Sequence, residues 1–277
     1  MYLLFDIGGT KMRFAVSPDL RHISQAIIVP TPQTVDEMIA ILRQELHKLT
    51  GNQPIKAAAG GIAVILDKDN ARIVNAMNMK GWIHEPIKQK LEELLRVPIF
   101  LTNDAAIVGL GEALSGPGLG HDIVAYITIG TGVGGARIVK GKIDPTAHGF
   151  EPGHQIISVG EQPDGTPVFG YLEDFISGTA LKKAYGKPAS EITDKQVWDD
   201  VAFFLAIGLN NVIVHWSPDV IVLGGSVAQQ IDVDKVREYL KKNMRIFPEL
   251  PLIIKAKLDD VGGLYGALEF LKQKTVI

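Results

Sequence analysis

Apolar and polar positions along this chain fall into short strand-like runs broken by glycine and longer stretches at helical spacing. Tyr2 to Phe5 read as a buried strand, Asp6 to Thr10 as a tight glycine turn and Lys11 to Val16 as a returning strand. The same order recurs at Asp122 to Val139. There Y-I-T-I-G-T-G-V-G-G-A-R-I-V (Tyr126 to Val139) puts four glycines between two β-branched runs, and Lys140-Gly141-Lys142 marks a further turn. Glycine tolerates positive φ and carries no Cβ, so the N–H groups of Gly130 to Gly135 can converge on an anion such as phosphate. Gly130, Gly132 and Gly135 also satisfy G-x-G-x-x-G. The dinucleotide fingerprint needs a helix after its third glycine, however, and here a strand follows.

Between these hairpins the pattern predicts a strand at Ser24 to Val29 and a helix capped near Thr34. That helix carries Val35, Met38, Ile39, Ile41, Leu42, Leu46 and Leu49 and stops at Gly51. Strands follow at Ile55 to Ala59, Ala71 to Val74 and Val97 to Leu101, with a helix over about Glu85 to Leu95. Thr102-Asn103-Asp104 open another helix reaching Leu114, and Gly116-Pro117-Gly118 is the clearest linker. In the second half, His148 to Asp164 lacks periodicity, and Val168 to Ile176 reads as a short helix. Asp194 starts a long apolar helix through Val201, Leu205, Leu209 and Trp216. Its polar interruptions argue against a membrane span and for burial at a lobe or subunit interface. Val220 to Leu223 form an apolar strand, and Gly224-Gly225-Ser226 is expected to lead into a helix N-terminus that favours an anion or nucleotide. Arg237 to Met244 prolong helix, Leu252 to Lys255 a strand, and Gly262 to Leu271 close with a helix. Two similar halves result, each opening with a glycine-turned hairpin.

A chain of 277 residues buries a large core and suggests two lobes. With a net charge of −3 and acidic and basic residues intermixed, there is no basic patch for nucleic acid or a membrane surface. The absence of cysteine excludes disulfides, thiolate metal sites and a cysteine nucleophile. Because M-Y-L-L-F-D lacks a basic n-region, the N-terminus does not read as a signal peptide, and a cytoplasmic protein is expected.

Seven segments in register carry a resemblance to a known family. Asp6 to Lys11 (D-I-G-G-T-K) and Ile129 to Gly135 resemble two phosphate motifs, and Asn78 to Trp82 resembles an N-x-x-G-W sugar loop. Thr102-Asn103-Asp104 is similar to a catalytic N-D, Glu151-x-Gly153-His154 to E-x-G-H, Leu172-Glu173 to L-E, and Gly224-Gly225 to an adenosine motif. Together they resemble the ROK sugar kinases of the actin-like and hexokinase-like ATPase superfamily. The resemblance implies a two-lobed α/β fold with duplicated β-β-β-α-β-α halves and a ligand cleft between them. The N-terminal lobe would span 1–116, with a helix at about 261–277 packing back on it, and the C-terminal lobe 117–260. It further implies ATP and Mg²⁺ as cofactors and a homodimer.

Asp104 would be the general base that accepts the proton of the attacking sugar hydroxyl; taken alone, Asn103 or Asp104 is also a good helix N-cap. Asn78, Asn103, Glu151, His154 and Glu173 would grip the sugar. Gly8, Gly9, Thr10, Lys11, Gly130, Thr131, Gly132, Gly224 and Gly225 would serve ATP and its phosphates, and Asp6 would hold Mg²⁺ through water. Trp82 is expected to pack its loop rather than stack on sugar.

The chain departs from the family pattern twice. Val159 to Tyr171 contains none of the cysteines that, with the histidine of E-x-G-H, bind zinc in typical members, so no zinc is expected. Ala63-Val64 stand where the family often has Pro-Gly. The activity expected is phosphorylation of glucose to glucose 6-phosphate. Fructose, mannose or an N-acetylhexosamine are the alternative substrates, and a non-catalytic sugar-sensing regulator is the rival from another class. Such regulators carry an N-terminal helix-turn-helix, for which a chain starting at the first phosphate strand leaves no room.

Overall fold

The computed structural model describes residues 1–76 and 79–275, which divide into two compact units. The first comprises 1–116, 145–149 and 260–277, and the second 117–144 and 150–259.

The first unit opens with β1 (Tyr2–Ile7), β2 (Lys11–Ser17) and β3 (Ile27–Pro30), followed by α1 (Val35–Thr50) and β4 (Ala57–Ile62). A small pair, β5 (Ile65–Leu66) and β6 (Ile73–Asn75), precedes α2 (Ile87–Leu95), β7 (Ile99–Asn103) and α3 (Asp104–Leu114). The sheet runs β3-β2-β1-β4-β7, antiparallel on the β1–β2–β3 side and parallel through β4 and β7. Because β1 is buried on both faces, its alternate residues feed two cores: Leu3, Phe5 and Ile7 join one, and Leu4 joins the other with Ala57, Ala59 and Ile107. Thr34 and Glu37 form the capping box of α1, and Gly51 in the left-handed region ends that helix.

The second unit repeats the plan with β8 (Ile123–Ile129), β9 (Val133–Val139) and β10 (Lys142–Ile143). A hairpin of β11 (Ile156–Glu161) and β12 (Pro167–Tyr171) leads to α4 (Leu172–Ile176), α5 (Gly178–Tyr185) and α6 (Lys195–Trp216). Then come β13 (Val220–Gly224), α7 (Val233–Asn243) and β14 (Leu252–Lys255), before α8 (Gly262–Thr275) joins the first unit. The order β10-β9-β8-β13-β14 is that of the first sheet.

Three expectations are corrected. Val168 to Tyr171 is strand, because these residues pair with β11, and only Leu172–Ile176 is helical. The Asp164–Thr166 corner closes this hairpin, Thr166 donating its N–H to the Asp164 carboxylate at 2.9 Å. Gly224-Gly225-Ser226 does not open an α-helix. Gly225 takes φ +86°, Val227 donates its N–H to Ile129 O at 3.0 Å, and only a 3₁₀ turn follows at Ala228–Gln230. The N-terminus of α7 comes later, where Asp232 itself accepts from the N–H groups of Asp234 and Lys235.

The third correction concerns α6. It is long and apolar enough to cross a membrane by length and composition, yet Val201, Leu205, Leu209, Val212 and Ile213 are buried in the core of the second unit itself. Its apolar run is therefore accounted for without a lobe or subunit interface.

Candidate functional site

In the first unit the antiparallel register sets Asp6 directly opposite Arg13. Arg13 lies 3.5 Å from the Asp6 carboxylate and also pairs with Asp260. Asp6 is only 7% exposed. Its pKa is pushed up to about 7, first by burial and then by the negative charge of Asp104, with Asp260 adding to the rise and Arg13 opposing it. The N-terminus of α8 lies against this carboxylate. A Cβ on Gly263 would stand 2.5 Å from Asp6 Cγ, so the approach requires glycine there.

Asp104 is the first residue of α3, while Asn103 is its cap, accepting from the N–H groups of Ala105 and Ala106 at 2.8 and 3.3 Å. The capping role therefore belongs to Asn103. Burial holds the Asp104 carboxyl above the usual range, against the N–H groups of Ala105 and Asp104 and the Asn103 side chain, which favour the charged form. With its oxygen committed to the cap, Asn103 has its amide N–H groups for other partners, one of them 3.5 Å from Val64 O.

The Gly8-Gly9-Thr10 turn is tight, with Gly8 donating to Lys11 O at 3.0 Å. Thr31 clamps it: its hydroxyl donates to Gly8 O at 2.6 Å and its N–H to Thr10 O at 3.0 Å. Gly9, Thr10 and the Lys11 side chain are exposed.

In the second unit, the Gly130-Thr131-Gly132 turn receives N–H groups from the start of α5. Gly178 donates to Gly130 O at 2.7 Å and Thr179 to Thr131 O at 3.2 Å. Glu173, on α4, accepts the Val133 N–H at 2.7 Å, and a side chain on Gly132 would collide with the same carboxylate oxygen. One oxygen of Glu173 is thus spent on the turn. Glu151 and His154 flank a 3₁₀ turn at Pro152–His154, 3.7 Å apart and each with a 44% exposed side chain. The His154 ring lies 6.2 Å from that of Tyr171. Gly224 ends β13 against the Tyr126 ring, and Gly225 follows.

The structure thus brings Asp6, Asp104, Asn103 and the first glycine turn together in one unit, and Glu151, His154, Glu173, the second turn and Gly224-Gly225 in the other. Asn78 lies outside the described residues. Trp82 is fully buried, its indole N–H donating to Pro32 O at 3.2 Å. Arg13, Asp260, Thr31 and Gly263 escaped the sequence reading; Arg13 alone had a legible signal, as a charge facing Asp6 in a hairpin whose turn fixes the register. A cavity of about 690 Å³ lined by Asp232, Asp234, Arg237 and Lys255 shares no residue with this set.

Among the described residues no group of three or more His, Asp or Glu is placed to hold a metal ion unaided. Asp6 nevertheless fits Mg²⁺, which is held by one or two carboxylates and keeps several waters. A buried carboxyl raised by a neighbouring negative charge is an oxygen donor that a dication would relieve.

Comparison with known proteins gives the same answer along the chain. The model of the ROK family matches residues 2–274. An N-acetyl-D-glucosamine kinase of Pectobacterium atrosepticum is 28% identical, covering 96% of this chain and 97% of its own. A glucokinase of Halalkalibacterium halodurans is 29% identical over 83% and 82%. The crystal structure of a ROK family glucokinase from Streptomyces griseus, in complex with glucose and AMPPNP, superposes with a TM-score of 0.80 at 26% identity, covering 98% of this chain and 99% of that one. The chain belongs to the ROK family, as a sugar kinase with the actin-like fold of its hexokinases.

Proposed function

We propose that the protein transfers the γ-phosphate of ATP to a hexose, glucose first among the candidates, giving the hexose 6-phosphate. The observation that carries this reading is the division of labour at α3: Asn103 caps the helix, and Asp104 presents a carboxyl whose affinity for a proton is raised by burial. A general base works best when its pKa approaches the operating pH, so this environment suits a group that takes the proton from the attacking hydroxyl.

Phosphoryl transfer asks for positioning and charge neutralisation. With the Gly8 and Gly130 N–H groups closing their own turns, Gly9-Thr10 and Thr131-Gly132 would offer backbone N–H groups and threonine hydroxyls to the phosphates, and Gly224-Gly225 would serve the adenosine. Asp6 would hold Mg²⁺ through water; the ion, when bound, neutralises charge on the phosphate oxygens. Glu151, His154, the remaining oxygen of Glu173 and the Asn103 amide match the hydroxyl rim of a pyranose. The relatives named for glucose and N-acetylglucosamine support a hexose and divide over which one. A cytoplasmic homodimer belongs to the same reading, the homodimer resting on the resemblance alone.

The test is a panel of glucose, fructose, mannose, N-acetylglucosamine and N-acetylmannosamine with MgATP, read by coupled ADP release. Glucose should give the highest kcat/KM. A higher value for another sugar replaces the substrate, and no sugar-dependent ADP release would return the regulator reading.

A further inference from the structure

We propose that Gln155 and Asn211 form a positioning pair that fixes the Glu151–His154 turn against α6. The proposal rests on the assignment of Glu151 and His154 to sugar hydroxyls. Glu151 and His154 sit at the ends of a three-residue 3₁₀ turn, which has no continuing ladder to stiffen it. Their side chains are 44% exposed, so packing alone does not hold them. Pro152 and Gly153 are buried, which anchors the middle of the turn and leaves its exit to be fixed by the next residue.

That residue is Gln155, and all its side-chain bonding capacity at this face is directed. Its Nε2 donates to Pro152 O at 2.7 Å, back into the turn. Its Oε1 accepts from Asn211 Nδ2 at 2.7 Å, 56 residues away on α6. Its main-chain oxygen accepts the Leu172 N–H at 3.0 Å, at the first residue of α4. The next residue, Glu173, accepts from Val133 beside the glycine turn. A continuous set of bonds therefore runs from the core helix through Gln155 to the sugar turn, and through Leu172 and Glu173 to the phosphate turn. Asn211 is half-buried on α6, and its own oxygen accepts from Asn210 Nδ2 at 3.4 Å. The Asn211 amide is thereby oriented with its nitrogen towards Gln155, to which it makes the shorter of its two bonds. An amide that donates on one side and accepts on the other also fixes its own orientation. Small displacements of substrate-holding groups are costly to catalysis, which gives such a link its use.

The experiment compares Gln155→Leu, Asn211→Leu, their combination, and the exchanged pair Gln155→Asn with Asn211→Gln, which restores total reach. Glu151→Gln is measured alongside. The readouts are KM for glucose, KM for ATP, kcat and the melting temperature of the full chain. Each leucine variant should raise the glucose KM about 5- to 10-fold, the worth of a part-buried hydrogen bond, with kcat and the ATP KM within about twofold. The double leucine variant should be no worse than Gln155→Leu alone, because that substitution already removes the bond to Asn211. The exchanged pair should recover most of the glucose affinity that Gln155→Asn alone loses.

An unchanged glucose KM in the leucine variants, additive losses, or equal losses in kcat and both KM values would overturn the proposal. Should the leucine variants fail to fold, recovery in the exchanged pair over Gln155→Asn decides in its favour, and no recovery decides against it. If Glu151→Gln leaves the glucose KM unchanged, the sugar assignment falls and the pair with it. If Glu151→Gln raises it while the Gln155 and Asn211 variants do not, only the positioning role fails.

Discussion

The two glycine turns stand at equivalent places, each at the end of the central antiparallel strand of its sheet, and they are supported in different ways. Gly8 to Thr10 is clamped by one side chain, Thr31, from the chain leaving β3. Gly130 to Gly132 is held by main-chain N–H groups of α5 and a carboxylate of α4. Two residues before each first glycine stand Asp6 and Thr128. The first turn thus has a buried carboxylate on its own strand, with Asp104 close enough to raise its pKa. The second has no charge there and takes Glu173 from a helix. The same backbone cradle stands beside buried carboxylates in one unit, and beside the residues proposed to hold sugar in the other. Substitution of the proposed base, Asp104, should therefore fall on turnover, and substitution of the groups that support either turn on binding.

The largest expected effect is that of Asp104→Asn. General-base catalysis is typically worth ~10²- to 10⁴-fold, so kcat should drop by that much with the glucose KM nearly unchanged. Stability should move little, because Asn103 caps α3 and stays in place. Steady-state kinetics with saturating glucose and MgATP decide the matter. A variant keeping most of its turnover would remove the base from the first unit and erase the contrast.

Next in size is the pH dependence of stability that Asp6 imposes. Its folded-state pKa of about 7 lies above the ordinary 3.8, so its contribution is complete below about pH 4 and is lost as pH rises towards 7. A shift of that size corresponds to on the order of 4 kcal/mol, and losing the Arg13 pairing offsets part of it. Asp6→Asn should therefore gain about 2–4 kcal/mol on the parent protein between pH 4.5 and pH 8. Thr128→Val, at the equivalent place, should follow the parent at every pH. Urea unfolding at the two pH values tests this, and parallel curves for the parent and Asp6→Asn would contradict it.

What could be read in the sequence follows from the range of the interactions. The hairpins, the capping box at Thr34 and the stop at Gly51 are local, and residues a few positions apart specify them. The doubled plan was visible because both halves open with the same glycine turn. Val168 to Tyr171 reads as helix because the six apolar residues among the nine from Val168 to Ile176 fit helix and strand alike, and only pairing with β11 decides between them. The apolar run of α6 read as an interface because periodicity reports burial but not what does the burying. Among the site residues, Asp6 and Asp104 stand in recognisable motifs. Thr31 and Gly263 lie 23 residues beyond Gly8 and 257 beyond Asp6 in the chain, and only tertiary folding brings them near. The commitment of one Glu173 oxygen to Val133 was equally out of sight, since it depends on how α4 approaches β9.

The smallest effects discriminate most finely between the two supports. Glu173→Gln keeps the shape and an accepting oxygen but loses the charge, and charge-assisted hydrogen bonds are roughly twice as strong as neutral ones. That carboxylate holds the turn with one oxygen and is proposed to hold sugar with the other, so the KM values for ATP and glucose should both rise, by about tenfold. Thr31→Val removes only the hydroxyl that donates to Gly8 O, and its N–H still reaches Thr10 O. One part-buried hydrogen bond is worth about 0.5–1.5 kcal/mol, so the ATP KM should rise roughly 2- to 10-fold. The glucose KM should stay where it is, since among the described residues none proposed for sugar bonds to this clamp. Equal effects of Thr31→Val on both substrates would mean that the first turn is coupled to sugar as the second is. An effect of Glu173→Gln on glucose alone would mean that its bond to Val133 holds nothing ATP depends on.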